Sequence, residues 1–108
     1  MFSLVISNAL LTTTEGMVRT AFEPYGEFMI HMTQSISKGR DCLKIFVNYT
    51  SITEEGEELR DRLLKNQIAQ ESGETFEPVR IIYGIYRRRE QYWTIYLAKT
   101  VEERKRKN

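Results

Sequence analysis

The sequence predicts a single α+β domain in which strands and helices follow the order β-α-β-β-α, with a β-hairpin closing the chain. Residues 42–49 are rich in β-branched and aromatic side chains and lie between polar turn residues, which is typical of a strand. Residues 18–25 and 56–64 instead repeat apolar side chains every three or four positions, as amphipathic helices do. The chain has 108 residues, of which 41% are hydrophobic, and this suits one domain with one core.

Composition also narrows the class of protein. The single cysteine, Cys42, excludes an internal disulfide and favours a reducing compartment. Residues 1–6 lack the basic start of a signal peptide, and no apolar stretch approaches the length of a membrane span. We therefore expect an intracellular chain, in the cytoplasm or nucleus, without a membrane partner.

Charge is distributed unevenly along the chain. Residues 80–108 contain nine Lys and Arg residues against three Glu residues, a net charge of +6, and because the whole chain carries +1, residues 1–79 carry −5. A basic C-terminal quarter indicates an anionic partner, although a solvated turn followed by a solubilising tail would have the same composition. The charge pattern leaves both interpretations open.

The first strand and first helix follow from side-chain spacing. Leu4 and Ile6 alternate with Ser3, Val5 and Ser7 and are expected to face the core. Thr12 and Glu15 have the spacing of a capping box, which predicts the start of a helix. Residues 24–26 (Pro-Tyr-Gly) end this helix, and its buried face is predicted to contain Val18, Ala21, Phe22 and Tyr25.

The next two strands are predicted at residues 27–33 and 42–49, separated by a polar loop over residues 35–41. In the second strand Phe28, Ile30 and Met32 are expected to face inward, which places Met29 and His31 on the other face. In the third strand the inward positions are Leu43, Ile45, Val47 and Tyr49. Phe46 is then a large aromatic residue on a face that is otherwise mostly polar.

A second helix and a hairpin complete the domain. Ser51 and Glu54 again have capping-box spacing, and Gly56 lies on a buried stripe that allows close approach to a sheet. This stripe continues through Leu59, Leu63 and Leu64, while acidic residues early in the helix and Arg60, Arg62 and Lys65 late in it suit the helix macrodipole.

The hairpin is predicted to pair residues 79–86 with residues 92–99 through a basic turn at residues 87–91. Trp93, Ile95 and Leu97 are expected in the core, with Tyr96 on the opposite face. The domain then spans residues 1–100, and residues 101–108 form a basic tail that begins a short helix.

Several of these segments resemble the RNA recognition motif (RRM) family. Residues 15–28 are similar to that family's first helix and its passage into the second strand, and residues 95–99 are similar to its closing strand. Residues 46–49 resemble the second half of the RNP1 signature, and residues 4–8 resemble RNP2. The resemblance implies a ferredoxin-like βαββαβ sandwich: a four-stranded antiparallel sheet with both helices on one face, and here an extra hairpin strand before the last strand.

The resemblance also implies a site, because binding members stack bases on aromatic side chains of the open sheet face. Both RNP signatures are degenerate here, since Val5 and Lys44 occupy aromatic positions, Cys42 occupies the leading basic position, and Phe46 alone keeps its type. Two missing stacking platforms remove roughly 2–6 kcal/mol, so we expect weak, salt-sensitive binding of RNA or single-stranded nucleic acid with little base specificity. The candidate binding residues are Phe46, Tyr96, Lys44, Val5, Asn8, Lys38, Arg40, Arg87, Arg88 and Arg89.

The alternative is a protein-interaction or self-association module with the same fold, binding a protein partner or forming a homodimer. Residues 79–83 and 92–95 have a weaker resemblance to small RRM-like proteins of large DNA viruses, which implies a viral structural or assembly component located in the host cell or the virion. We do not expect an enzyme, a cofactor or a metal, because the sequence lacks a nucleophile–base pair, a metal-ligand cluster and a phosphate-binding glycine loop.

Overall fold

Five strands and two helices make up the fold in the computed structural model, which describes residues 2–98. The elements are β1 (Ser3–Ala9), α1 (Glu15–Phe22), a short 3-10 turn (Glu23–Tyr25), β2 (Gly26–Ser37), β3 (Arg40–Ile52), α2 (Glu54–Glu71), β4 (Val79–Tyr86) and β5 (Arg89–Leu97). One antiparallel sheet contains all five strands in the order β2-β3-β1-β5-β4. The predicted α+β class is confirmed. The extra hairpin strand is β4, which lies at the edge of the sheet beyond β5. The tail predicted for residues 101–108 lies outside the described residues.

Both helices pack on the same face of the sheet. Alternate side chains of β1, β3 and β5 are buried there, as the alternation predicted, together with apolar side chains of both helices; they include Leu4, Ile6, Ile45, Val47, Trp93, Ile95, Val18, Phe22, Leu59 and Leu63. The ring of Trp93 is the centre of this core, stacked 6.2 Å from the Phe22 ring and 4.2 Å from the Tyr83 ring between centroids. The opposite face of the sheet, here called the open face, carries no helix of the described chain.

Tyr49 joins the end of α1 to the central strand β3. Its hydroxyl donates a hydrogen bond of 3.0 Å to the carbonyl oxygen of Phe22, which is one of the carbonyls that a helix end leaves without a partner. Burial, and next the nearby Tyr25, raise the pKa of the Tyr49 hydroxyl above its usual value of 10.0, so this group remains a donor at neutral pH.

Each helix begins two residues later than its predicted capping box. The side chain of Thr14, not Thr12, accepts the Met17 N–H at 3.2 Å at the start of α1. Similarly, Thr53 rather than Ser51 accepts the N–H of Gly56 at 3.2 Å at the start of α2. Both segments offer several hydroxyl groups, and the one directly before the first helical residue forms the cap.

Both predicted loops between paired strands are shorter than expected. Residues 35–41 are not a loop, because β2 and β3 continue to a two-residue turn in which Lys38 has φ 52° and Gly39 has φ 77°. The predicted turn at residues 87–91 is likewise reduced to Arg87 and Arg88, with φ of 50° and 65°, and Arg89 begins β5. Two successive positive φ values are typical of a type I′ turn, whose twist suits that of the flanking strands.

Two expectations for α2 were wrong, those for Leu64 and for the last turn of the helix. Leu64 is 45% exposed, because Leu59 and Leu63 define the buried stripe and the next position lies about 100° around the helix. Gly56 is buried as expected, and a Cβ atom added there would meet both the carbonyl group of Tyr25 in the 3-10 turn and, at 3.1 Å, the side chain of Ile52 at the end of β3. The helix continues to Glu71, so its last turn contains no basic residue. No helix within residues 2–98 is long and apolar enough to cross a membrane.

Candidate functional site

Four side chains that are paired from strand to strand form a row across the open face. His31 pairs with Phe46, Phe46 pairs with Val5, and Val5 pairs with Tyr96. Val5 is only 9% exposed and Tyr96 is 39% exposed, while Phe46 is half-buried. Because neighbouring strands lie about 4.8 Å apart, Phe46 and Tyr96 are separated by about 10 Å with the small Val5 between them. The structure therefore brings three predicted site residues into one row, with an aromatic ring on each side of Val5.

Two cations lie over aromatic rings on this face. The Lys44 ammonium nitrogen is 5.5 Å from the centre of the Phe46 ring, and the guanidinium carbon of Arg80 is 4.7 Å from the centre of the Tyr92 ring. Both distances are within the range of a cation–π contact. Among the described open-face residues paired with Phe46, Lys44, Asn48 or Thr94, none is acidic. The open face is therefore positively charged around Lys44 and Arg80, while the acidic Glu90 lies two positions before Tyr92 on β5.

Cys42 is on the open face but is almost fully buried. This face of the third strand was predicted to be exposed to solvent, yet Cys42 is buried. Its thiol donates a hydrogen bond of 3.6 Å to the carbonyl oxygen of Ser7. Beyond Ile6 the pairing of β1 with β3 is irregular, and the Cys42 side chain packs against this part of β1. Cys42, for which the resemblance implied a basic residue, therefore contributes packing here.

The two basic turns lie at the same end of the sheet. Since β1 runs antiparallel to both β3 and β5, the turn at Lys38 and the turn at Arg87 both project beyond the end of β1. Lys38 and Arg40 line an open groove together with Asn8, next to Asp41. Residues 87–89 are all exposed, on the other side of β1. The predicted site residues thus form two groups, the aromatic row and the cations at one end of the sheet.

Arg80 and Tyr92 were not predicted as site residues. Tyr92 has the same strand parity as Tyr96, which could have placed it on the open face. Arg80 lies on the same face because it pairs with Thr94. The amino-acid sequence alone does not show this register of β4 against β5. His31 was expected on this face but was given no role, and its ring centre is 6.3 Å from that of Phe46.

Within residues 2–98, no three His, Cys, Asp or Glu side chains converge as metal ligands would. Comparison of the chain with protein-family models, with curated proteins and with solved structures finds no match.

Proposed function

We propose that the chain is an RRM-like, ferredoxin-like domain to which β4 adds an edge strand. The strand order β2-β3-β1-β5 supports this architecture, because β1 and β3 are central and both helices cover the opposite face. In such an arrangement the open face presents the two central strands to a ligand.

The proposed function is binding of RNA or single-stranded nucleic acid on the open face. The observation that carries it is the row through Phe46, Val5 and Tyr96, which presents two aromatic rings beside Lys44, and none of the described residues paired with Phe46 or Lys44 is acidic. Aromatic rings stack with every base, whereas base discrimination needs free hydrogen-bonding groups. Asn48 lies two positions from Phe46 on β3, and its side-chain oxygen accepts the hydroxyl of Ser3 at 2.7 Å, so this amide is partly engaged within the protein. Binding is therefore expected to have little base specificity.

The charges predict how this binding responds to salt. Lys44 and Arg80 lie on the open face, and Lys38, Arg40 and residues 87–89 lie at the end of the sheet. Each cation that neutralises a phosphate of a single strand contributes about −0.7 to the slope of log K against log salt. Since the row offers few stacking platforms, this electrostatic part is a large share of the affinity.

The decisive experiment is titration of a labelled mixed-sequence single-stranded RNA at low and at physiological salt. Wild-type protein should give saturable binding in both conditions, and Phe46→Ala should weaken it by roughly 5- to 150-fold, the value of one stacked base. Leu64→Ala is the matched control, because Leu64 is exposed on α2, away from the open face. Binding at low salt alone, with no effect of Phe46→Ala, would show that basic segments contact phosphates without using the sheet.

The turn between β4 and β5 allows charge and stability to be separated. Arg87 and Arg88 both adopt positive φ, a backbone conformation that disfavours residues other than Gly, Asn and Asp. Replacing them by Arg87→Asn and Arg88→Gly keeps the type I′ turn, and should raise the free energy of unfolding by about 1–2 kcal/mol. The same variant should reduce the salt slope of RNA binding by up to about 1.4. Urea unfolding and RNA titration measure the two effects, and an unchanged slope would exclude these arginines from binding.

A second candidate function, self-association or protein interaction, is favoured by the apolar surface of the β4–β5 hairpin. Ile85 is 74% exposed, and Ile82 and Tyr86 are also exposed. In the sheet formed by residues 3–97, β4 has a neighbouring strand on one side only, and a long apolar edge strand is a site where another chain can pair. A viral structural or assembly component would use such a surface.

This second function predicts a mass that depends on concentration. Sedimentation of wild-type protein should show a rise from the monomer mass of 12.8 kDa towards that of a dimer. Ile85→Lys should abolish the rise, because an edge lysine opposes strand pairing. Ile36→Lys, on the other hairpin and equally exposed, should leave it unchanged. A constant monomer mass over the whole concentration range would contradict self-association.

A further inference from the structure

The hairpin strand extends the open face beyond the aromatic row. Arg80 of β4 pairs with Thr94, and Ile82 pairs with Tyr92, so these four side chains belong to the same face as Tyr96. Tyr92 is 49% exposed, more than Tyr96, and the two residues are four positions apart on β5. At about 3.3 Å per residue this separation is about 13 Å along the strand.

The position of Tyr92 is held from the opposite face of the sheet. Its neighbour Trp93 is buried in the core and stacks on Tyr83 of β4, with ring centres 4.2 Å apart. On the open face the guanidinium carbon of Arg80 lies 4.7 Å from the centre of the Tyr92 ring. The ring and the cation are thus presented together by two paired strands, and the next open-face residue along β5 is the acidic Glu90.

We propose that Arg80 and Tyr92 form a further nucleotide subsite, in which one base of a single strand stacks on Tyr92 and Arg80 binds an adjacent phosphate. This inference rests on the proposed function of the open face. The pair joins an exposed ring to a guanidinium group, which are the two groups that bind single strands without reading sequence. The carboxylate of Glu90 marks the outer limit of the subsite, because it repels phosphate.

The subsite predicts a dependence on ligand length. Phe46 and Tyr96 are about 10 Å apart across the strands, and Tyr92 lies about 13 Å further along β5, so Phe46 and Tyr92 are about 16 Å apart. In a stacked strand, which rises about 3.4 Å per nucleotide, the first and third bases of a trinucleotide are only about 7 Å apart. A trinucleotide in this stacked conformation therefore cannot reach from Phe46 to Tyr92, whereas a twelve-nucleotide strand can.

The test is titration of labelled mixed-sequence RNAs of three and twelve nucleotides at low salt with wild-type protein, Tyr92→Ala and Tyr92→Phe. For the longer RNA, Tyr92→Ala should reduce affinity by roughly 5- to 150-fold, and Tyr92→Phe should retain it. For the trinucleotide, Tyr92→Ala should be within about twofold of wild type, because the aromatic row outcompetes a single-ring subsite. Arg80→Gln should lower the salt slope for the longer RNA alone, by about 0.7.

The outcomes separate this inference from the function on which it rests. If wild-type protein binds neither RNA, the proposed function itself fails. If Phe46→Ala impairs binding but Tyr92→Ala matches wild type on both lengths, the open face binds RNA and the subsite is excluded. A Tyr92→Ala variant that changes the sedimenting mass without changing RNA affinity would overturn the subsite and assign this patch to a protein contact.

Discussion

Replacing Gly56 with alanine is expected to lower the free energy of unfolding by about 1–3 kcal/mol, as overpacking of a filled site does. Gly56 is in the first turn of α2, where alanine would normally be favoured over glycine by about 1 kcal/mol. A Cβ atom at this position would overlap the carbonyl oxygen of Tyr25 and lie 3.1 Å from the Cβ atom of Ile52. Since the main obstacle is backbone, no side-chain rotation relieves it.

Gly16→Ala is the matched control for this prediction. Gly16 also lies in the first turn of a helix, but its nearest neighbour is the Thr14 hydroxyl oxygen, 3.9 Å from an added Cβ atom. Here alanine should raise the free energy of unfolding by about 0.5–1 kcal/mol, because it restricts the unfolded chain. Urea unfolding of both variants measures the difference in sign. Equal shifts in the same direction would contradict the close packing of Gly56 against the 3-10 turn.

Gly56 also shows how far a side-chain pattern can be interpreted. Its spacing from Leu59 correctly predicted that Gly56 lies on the buried stripe of α2. Its partner, the carbonyl group of Tyr25, is 31 positions earlier in the chain, and local spacing contains no information about such a contact. A second contact between the start of α2 and the 3-10 turn is made by Thr53, whose hydroxyl donates a hydrogen bond of 2.8 Å to the carbonyl oxygen of Pro24.

The faces of the strands could be predicted, but their lengths and register could not. Alternation correctly assigned Leu4, Ile45 and Trp93 to the core, because the side-chain period of a strand is two whatever its partner. The turns were predicted too long, since polar residues such as Ser35 and Gln91 suit both loops and exposed strands. At Arg87 and Arg88 the signal was weaker still, because this type I′ turn lacks the expected Asn-Gly.

The same limit applies to the candidate site. Parity placed Phe46 and Tyr96 on the open face, but their position in one row with Val5 depends on the register of two strand pairs. A shift of one residue would move every side chain of a strand to the other face. Arg80 was missed for the related reason that its face depends on the register of β4 against β5, whereas the parity that placed Tyr96 also places Tyr92 on the open face.

Removing both aromatic rings of the row is expected to have the largest effect on RNA binding. Phe46 and Tyr96 are about 10 Å apart and have no direct contact through pairing, so their contributions should be nearly additive. Loss of two stacking platforms removes about 2–6 kcal/mol, which corresponds to a reduction in affinity of roughly 30- to 10⁴-fold. The double variant Phe46→Ala with Tyr96→Ala should therefore give no saturation at physiological salt.

Three comparisons make this result specific to stacking. Tyr96→Phe keeps the ring and should bind within about twofold of wild type, whereas Tyr96→Ala alone should lose roughly 5- to 150-fold. The basic turns are unchanged in all these variants, so the salt slope should persist in the residual binding at low salt. A double variant that folds normally and binds within threefold of wild type would show that the cations carry the affinity, because two rings on an open sheet would then contribute less than one ordinary stacking contact.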